Sequence, residues 1–355
     1  MLSGADRLPN GAFTMEKDII LKTDKENMLA KLLNFPGQCR EAYSIKLEKE
    51  AGVIPEKIVF CGMGGSAIGG DIIKAVCDCT SKIPVFVNRD YALPSWTDRK
   101  TLVIAASYSG NTEETLSSLR NGIKAGSRLL CISSGGKLEA LASGENIPFI
   151  KIPAGYPPRC AFGYLFFPVY RFLSRIGTVK PLSTGIFNRM EKWVEMFSPD
   201  SANNTASAIA EKMHGKMPFL YSDAPLLPAM MRWKTQIAEN SKHLSSVNSL
   251  PEMNHNEIMA WRYPSWLIKK SVPVFVETGK EHPRTKLRIQ ITKEILSRIQ
   301  PGIITVRTSE SSFMGNLLYL VVLGDWISFY LAVMNRVNPT EIKEINLLKT
   351  LMGGK

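Results

Sequence analysis

From residue 58 onward, short apolar runs rich in β-branched residues alternate with Gly/Ser/Asn turns and longer stretches of helical periodicity. Residues 58–61 (IVFC) predict a strand that enters a glycine-rich segment, 62–70, and then a helix through about residue 76. Strands are predicted at 84–87, 101–106, 128–132 and 148–152, with a helix over 113–125. Strands alternating with helices at this spacing imply an α/β fold built on a parallel sheet with helices on both faces. Ligands of such doubly wound sheets bind beyond the carboxyl ends of the strands.

The polar stretch 197–205 (FSPDSANNT) interrupts the hydrophobic pattern, which then restarts. Strands are predicted at 218–221, 272–276 and 302–306, and helices at 230–244, 286–299 and 317–334. Two α/β domains of the same type in tandem follow, over 51–196 and 206–355. Residues 1–50, with a helical run at 28–33, read as a helical segment packing on the first domain.

The chain has 355 residues, 45% hydrophobic and 21% charged, the balance of a globular protein of about two domains. Its net charge of +12 favours anionic partners without choosing among them. Basic residues are densest over 280–298, where no aromatic residue offers a stacking surface for single-stranded nucleic acid, so this stretch reads as a solvated face. The apolar segment 317–334 carries Asp325 near its middle, at a cost of about 3 kcal/mol in a bilayer, and reads as a buried helix. Six cysteines show no CxxC spacing, and the N-terminus shows no basic start before an apolar core. The expectation is a reduced, cytoplasmic protein with neither a nucleic-acid nor a membrane partner.

Two strand-to-helix junctions carry the candidate chemistry. The first, Gly62-Met-Gly64-Gly-Ser-Ala67, fits G-x-G-x-x-A, the form of a dinucleotide fingerprint. The strand that should end in a ribose-binding acid ends instead in Asn88-Arg89, with Asp90 as a weak substitute. The second, Ser107-Tyr-Ser109-Gly-Asn-Thr112, gathers three hydroxyls and a glycine before Glu113 and Glu114. Exposed N–H groups at two helix starts and these hydroxyls suit a phosphate dianion. A simple helix cap would need only one hydroxyl. No lysine follows in P-loop register, which disfavours a nucleotide triphosphatase.

GMGGSAIGGD and SYSGNTEET together resemble the phosphosugar loops of the bifunctional phosphoglucose/phosphomannose isomerases, within the sugar isomerase (SIS) superfamily. Four further stretches extend the likeness: PRCAFGY at 158–164, QIAENSK at 236–242, NHNE at 254–257, and NPT at 338–340 running on to Lys349. The resemblance implies two tandem SIS-type doubly wound domains and a homodimer. The implied activity interconverts glucose 6-phosphate, and mannose 6-phosphate, with fructose 6-phosphate through an enediolate, in glycolysis and gluconeogenesis, with no metal and no cofactor. It makes Gly65, Ser66, Ser107, Ser109, Thr112, Arg159 and Thr340 substrate-binding residues.

Aldose–ketose isomerisation needs ring opening, removal of a proton beside a carbonyl, enediolate stabilisation and return of that proton. A carboxylate suits the shuttle. The resemblance assigns it to Glu239; on residue physics alone, Glu239 reads as a surface glutamate beside Lys242 and His243, and Glu257 competes for the role. His255, with flanking amides to fix its tautomer, is implied as the ring-opening acid reaching into the partner's site. Arg159 is implied to stabilise the enediolate and Lys349 to assist ring opening. Thr340 would give room for the C2–C3 rotation that lets one site serve both epimers, although Asn338 stands where the family more often has Asp. A noncatalytic phosphosugar-binding regulator on the same domains is the alternative.

Overall fold

The computed structural model describes residues 17–46, 54–183, 185–308 and 310–353. The chain divides into two compact units, residues 34–191 and residues 1–33 with 192–355.

In the first unit, α3 (Phe35–Ser44) precedes β1 (Lys57–Cys61), α4 (Gly64–Thr80), β2 (Val85–Asn88), β3 (Thr101–Ala106) and α5 (Glu113–Lys124). Then come β4 (Arg128–Ser133), α6 (Gly136–Gly144), β5 (Phe149–Lys151), a 3₁₀ turn over Pro158–Cys160, and α7 (Phe162–Arg175). Among the described residues the strands form one parallel sheet in the order β2-β1-β3-β4-β5. Every residue of β3 is buried, as expected for a central strand covered by helices on both faces. The order reverses direction between β1 and β3, so the loops leaving these two strands diverge and open a crevice at their carboxyl ends. The two hydroxyl- and glycine-rich junctions are those loops.

The second unit contains α1 (Lys17–Thr23) and α2 (Met28–Leu33), and the division falls within α8 (Gly185–Phe197). It continues through α9 (Thr205–Met213), β6 (Met217–Asp223), α10 (Leu227–Ser241), β7 (Ser246–Leu250), α11 (Ser265–Lys269), β8 (Ser271–Glu277) and α12 (Pro283–Ser297). It ends with β9 (Ile304–Arg307), α13 (Phe313–Met334) and α14 (Lys343–Gly353). The sheet order, β7-β6-β8-β9, repeats the first four strands of the other unit, all parallel. Helix α13 is long and apolar enough to cross a membrane, but 89% of its most apolar window is buried within the fold.

One expectation changes, and two elements were not anticipated. The helical run at 28–33 exists as α2, yet α1 and α2 pack on α13 of the second unit, whereas α3 packs on α7 of the first. The 1–50 segment is therefore not one body on the first domain, and its residues 1–16 and 47–50 lie outside the described ones. The physical reason is that Ile20, Met28 and Leu32 find their burial against the most apolar helix of the chain. Strand β7 and helix α7 were not legible. The sequence of β7, SVNSL, is polar with only its last residue fully buried, and α7 holds Pro168 inside a run that is buried on nearly every face.

Candidate active site

The crevice of the first unit is built from two helix starts. Met63, extended, is the N-cap of α4 and supplies no side-chain hydrogen bond; Thr112 is the N-cap of α5, and its hydroxyl caps nothing either. The first-turn N–H groups of two long helices thus keep their partial positive charge beside the crevice. The simple-cap reading of the second loop does not hold. Thr112 Oγ1 instead shares a 2.8 Å hydrogen bond with Ser107 Oγ, which also accepts from Gly110 N at 3.1 Å. Ser66 Oγ accepts from Tyr108 N at 3.2 Å and ties the two loops together. Ser66 and Ser107 are buried, Thr112 is half-buried, and Ser109 stands exposed at the rim, its hydroxyl accepting from Asn111 N.

Arg159 joins this cluster through a close backbone approach. A Cβ on Gly65 would lie 3.2 Å from Arg159 Cα and 3.3 Å from Pro158 O, so glycine at 65 lets the 3₁₀ turn press against the start of α4. The turn is held from behind by Gln38 on α3, whose amide donates to Cys160 O and accepts from Gly163 N, each at 2.9 Å. Sequence reasoning missed Gln38; a clamp reaching across 122 residues leaves no local signal. Gly65, Ser66, Ser107, Ser109, Thr112 and Arg159 are thus gathered by one unit.

The dinucleotide reading fails on geometry. Asn88 is buried, and its amide donates to Asp90 O and Ser118 Oγ, filling the place where a ribose would need an acceptor. Asp90 Oδ1 accepts from Tyr91 N.

In the second unit, Glu239 is half-buried on the last turn of α10. Lys242 ends that helix in the left-handed conformation, φ 52°, and its Nζ donates to Glu239 O and, at 2.6 Å, to Asn338 O. Asn338 Oδ1 in turn accepts from Thr340 N at 3.0 Å. This side-chain turn is one that Asn and Asp make alike, so the departure at 338 keeps the local geometry. Glu239 and Thr340 are therefore joined through Lys242 and Asn338.

Glu257, the competitor for Glu239, is occupied: it accepts from Tyr221 OH at 2.5 Å and Asn248 Nδ2 at 2.6 Å. Burial and this contact push the Tyr221 phenol up. His255 lies exposed on a 3₁₀ turn. Its flanking amides do not hold it, contrary to expectation: Asn254 Nδ2 donates to Thr292 Oγ1, and Asn256 Nδ2 to Glu252 Oε1. His243 is structural, bonded to Lys216 O and Asn335, and His282 caps α12. Lys349 is exposed on α14, a helix with no buried residue.

The repeated sheet order lets the two crevices be compared position by position. Thr101 pairs with Lys57 where β3 begins, and Ser271 with Met217 where β8 begins. Each strand then reaches its following helix over the same length, which sets Glu277 at the place of Ser107. Glu281 is buried nearby, and burial followed by the Glu281 charge raises the Asp223 carboxyl to about 6. Glu277 is paired with Lys293 at 2.5 Å and lies 3.9 Å from Arg307 Nε, so charged side chains of both signs stand where the first crevice has hydroxyls.

Residues 202–352 match the family described as "Bacterial phospho-glucose isomerase C-terminal SIS domain". A bifunctional phosphoglucose/phosphomannose isomerase of Caldicellulosiruptor bescii is 35% identical over 331 residues, 91% of this chain and 98% of that one. The chain belongs to the bifunctional phosphoglucose/phosphomannose isomerase family. Another member, from Aquifex aeolicus, is 38% identical over 293 residues, 82% of this chain and 89% of its own. Among solved structures, a hypothetical protein of Thermus thermophilus shares this chain's fold with a TM-score of 0.71 at 17% identity, covering 95% of this chain and 92% of that one. The two SIS-type sheets anticipated from the motifs are thus those of the family.

Proposed function

We propose that this chain is an aldose–ketose isomerase interconverting glucose 6-phosphate and mannose 6-phosphate with fructose 6-phosphate through an enediolate. The observation that carries this reading is the crevice at the β1/β3 switch point, with two uncapped helix starts, the Ser107–Thr112 hydroxyl pair and Ser66 around one opening. Membership of the family supports it, and Glu239, His255 and Arg159 argue against a noncatalytic regulator, which would need none of them.

The phosphate tail docks on the N–H groups and hydroxyls of Gly65, Ser66, Ser107, Ser109 and Thr112, where fixed dipoles replace its hydration. The C1–O5 bond breaks as His255 donates a proton to the ring oxygen and the C1 hydroxyl loses its proton to water, with Lys349 assisting, and the open aldose results. Glu239 takes the proton from C2 and delivers it to C1, and the reverse transfer runs back to either face of C2. Arg159, permanently charged, stabilises the enediolate oxygens. Thr340 leaves room for rotation about C2–C3, so both epimers share one base.

The exposure of His255 supports a homodimer in which this residue works in the site of the second copy. All six cysteines are thiols, which fits a cytoplasmic place in glycolysis and gluconeogenesis. Parallel coupled assays with glucose 6-phosphate and mannose 6-phosphate test the reading: both should turn over, and Glu239→Gln should lower kcat by about 10³-fold or more while sugar-phosphate binding stays within a few fold. Tight binding of both sugars with no turnover by the wild-type chain would favour the regulator.

A further inference from the structure

Helix α10 meets α13 along a seam that is polar where a buried helix contact is ordinarily apolar. Arg232, Gln236 and Asn240, spaced by four residues, form one stripe on α10, and all three are buried. Arg232 donates to Asp325 through Nε at 2.9 Å and through its terminal nitrogen at 2.7 Å, a two-pronged pair. Gln236 Nε2 donates to the same carboxylate at 2.8 Å, and Asn240 Nδ2 to Ser328 Oγ at 2.9 Å. Trp233 adds a bond from Nε1 to Leu320 O at 2.7 Å, with its indole lying where a Cβ on Gly324 would sit.

A buried ion pair is a poor source of stability, because apolar side chains of similar size generally do as well or better. What it supplies is direction. The two-pronged contact is satisfied at one rotation and one height of α10. Glu239 sits on the same helix, three residues past Gln236 and one before Asn240. Its carboxylate stands about 6 Å from the helix axis, so a 10° turn of α10 carries it about 1 Å. A displacement of that size at a reacting group can cost about 100-fold in rate.

We propose that Asp325 is a positioning residue for Glu239: through Arg232 and Gln236 it locks the rotation of α10 and so sets where the proton-transferring carboxylate stands. This inference rests on Glu239 being the base. It makes the seam a determinant of kcat and leaves substrate affinity to other residues.

The test compares three full-length variants. Arg232→Met/Gln236→Leu/Asp325→Leu makes the seam apolar, Gln236→Met removes one strand of the lock in a shape-conserving way, and Glu239→Gln reports on the base. The apolar seam should keep or raise Tm, lower kcat about 100-fold, leave KM within twofold, and increase wash-in of solvent deuterium at C2 per turnover, because a misplaced base holds the proton less well. Gln236→Met should lower kcat at least fivefold with the same KM, and it decides the matter if the triple variant does not fold. Wild-type kcat and wash-in in the folded seam variants, beside an inactive Glu239→Gln, would overturn the positioning role and leave the base in place. A rise in KM with kcat unchanged would overturn it equally. Full activity in Glu239→Gln would remove the base and the positioning role together.

Discussion

At the scale of single residues, the geometry sorts side chains that look equivalent on paper. Glu239 and Glu257 both sit near a histidine; Glu257 accepts from Tyr221 and Asn248 on a 3₁₀ turn, and Glu239 stands half-buried on a helix end anchored through Lys242. Asp223 is the counter-case, a carboxyl placed where charge is unwelcome. Its pKa rises from 3.8 to about 6, chiefly by burial and then by Glu281, so folding favours the protonated form. The associated stability is fully present below pH 4 and is lost as pH rises through 6. Asp223→Asn should therefore raise stability by about 2–3 kcal/mol at pH 8 and change little at pH 4, as read by chemical denaturation at the two pH values. In the anion crevice, Ser107→Ala with Thr112→Ala removes the shared hydroxyl pair. It should raise KM for glucose 6-phosphate at least tenfold with a smaller change in kcat, in steady-state kinetics.

At the scale of elements, the decisive features are helix ends. The first turns of α4 and α5 lack side-chain caps, an arrangement that costs stability unless an anion arrives. Thr112→Asp should supply the missing cap and occupy the anion's place at once. The expected outcome is an unchanged or higher Tm with KM for phosphorylated sugars raised about 100-fold, and inorganic phosphate should cease to inhibit. The strand-to-helix junctions were legible because glycine and hydroxyl clusters at the end of a β-rich run have few other uses. Helix α7 and strand β7 were not, because an all-round apolar helix and a polar edge strand both lack the periodicity that distinguishes them.

At the scale of the whole molecule, the duplicated sheet order sets unlike residues at matching places: one crevice carries hydroxyls and the other carries Glu277, paired with Lys293, and Glu281. Helices α1 and α2 belong with the second. The Asp24 carboxylate accepts from Met28 N and Leu29 N, each at 2.7 Å, at the start of α2, and Met28 and Leu32 are buried. Deleting residues 1–33 should destabilise the second unit by several kcal/mol, from the loss of three buried aliphatic side chains at about 1.5–3 kcal/mol each. Amide hydrogen exchange should show α13 deprotected while β1 and β3 keep their protection.

The amino-acid sequence by itself determined the alternation of strands and helices, the two glycine- and hydroxyl-rich junctions and the family, because each is written in contiguous residues whose chemistry is local. Tertiary structure decided that Glu257 is held by Tyr221 and Asn248, that Asn338 makes the turn an aspartate would, where the N-terminal helices pack, and how Gln38 and Asp325 brace elements distant along the chain. Those outcomes depend on burial and on hydrogen bonds between residues far apart in sequence, which no local pattern encodes.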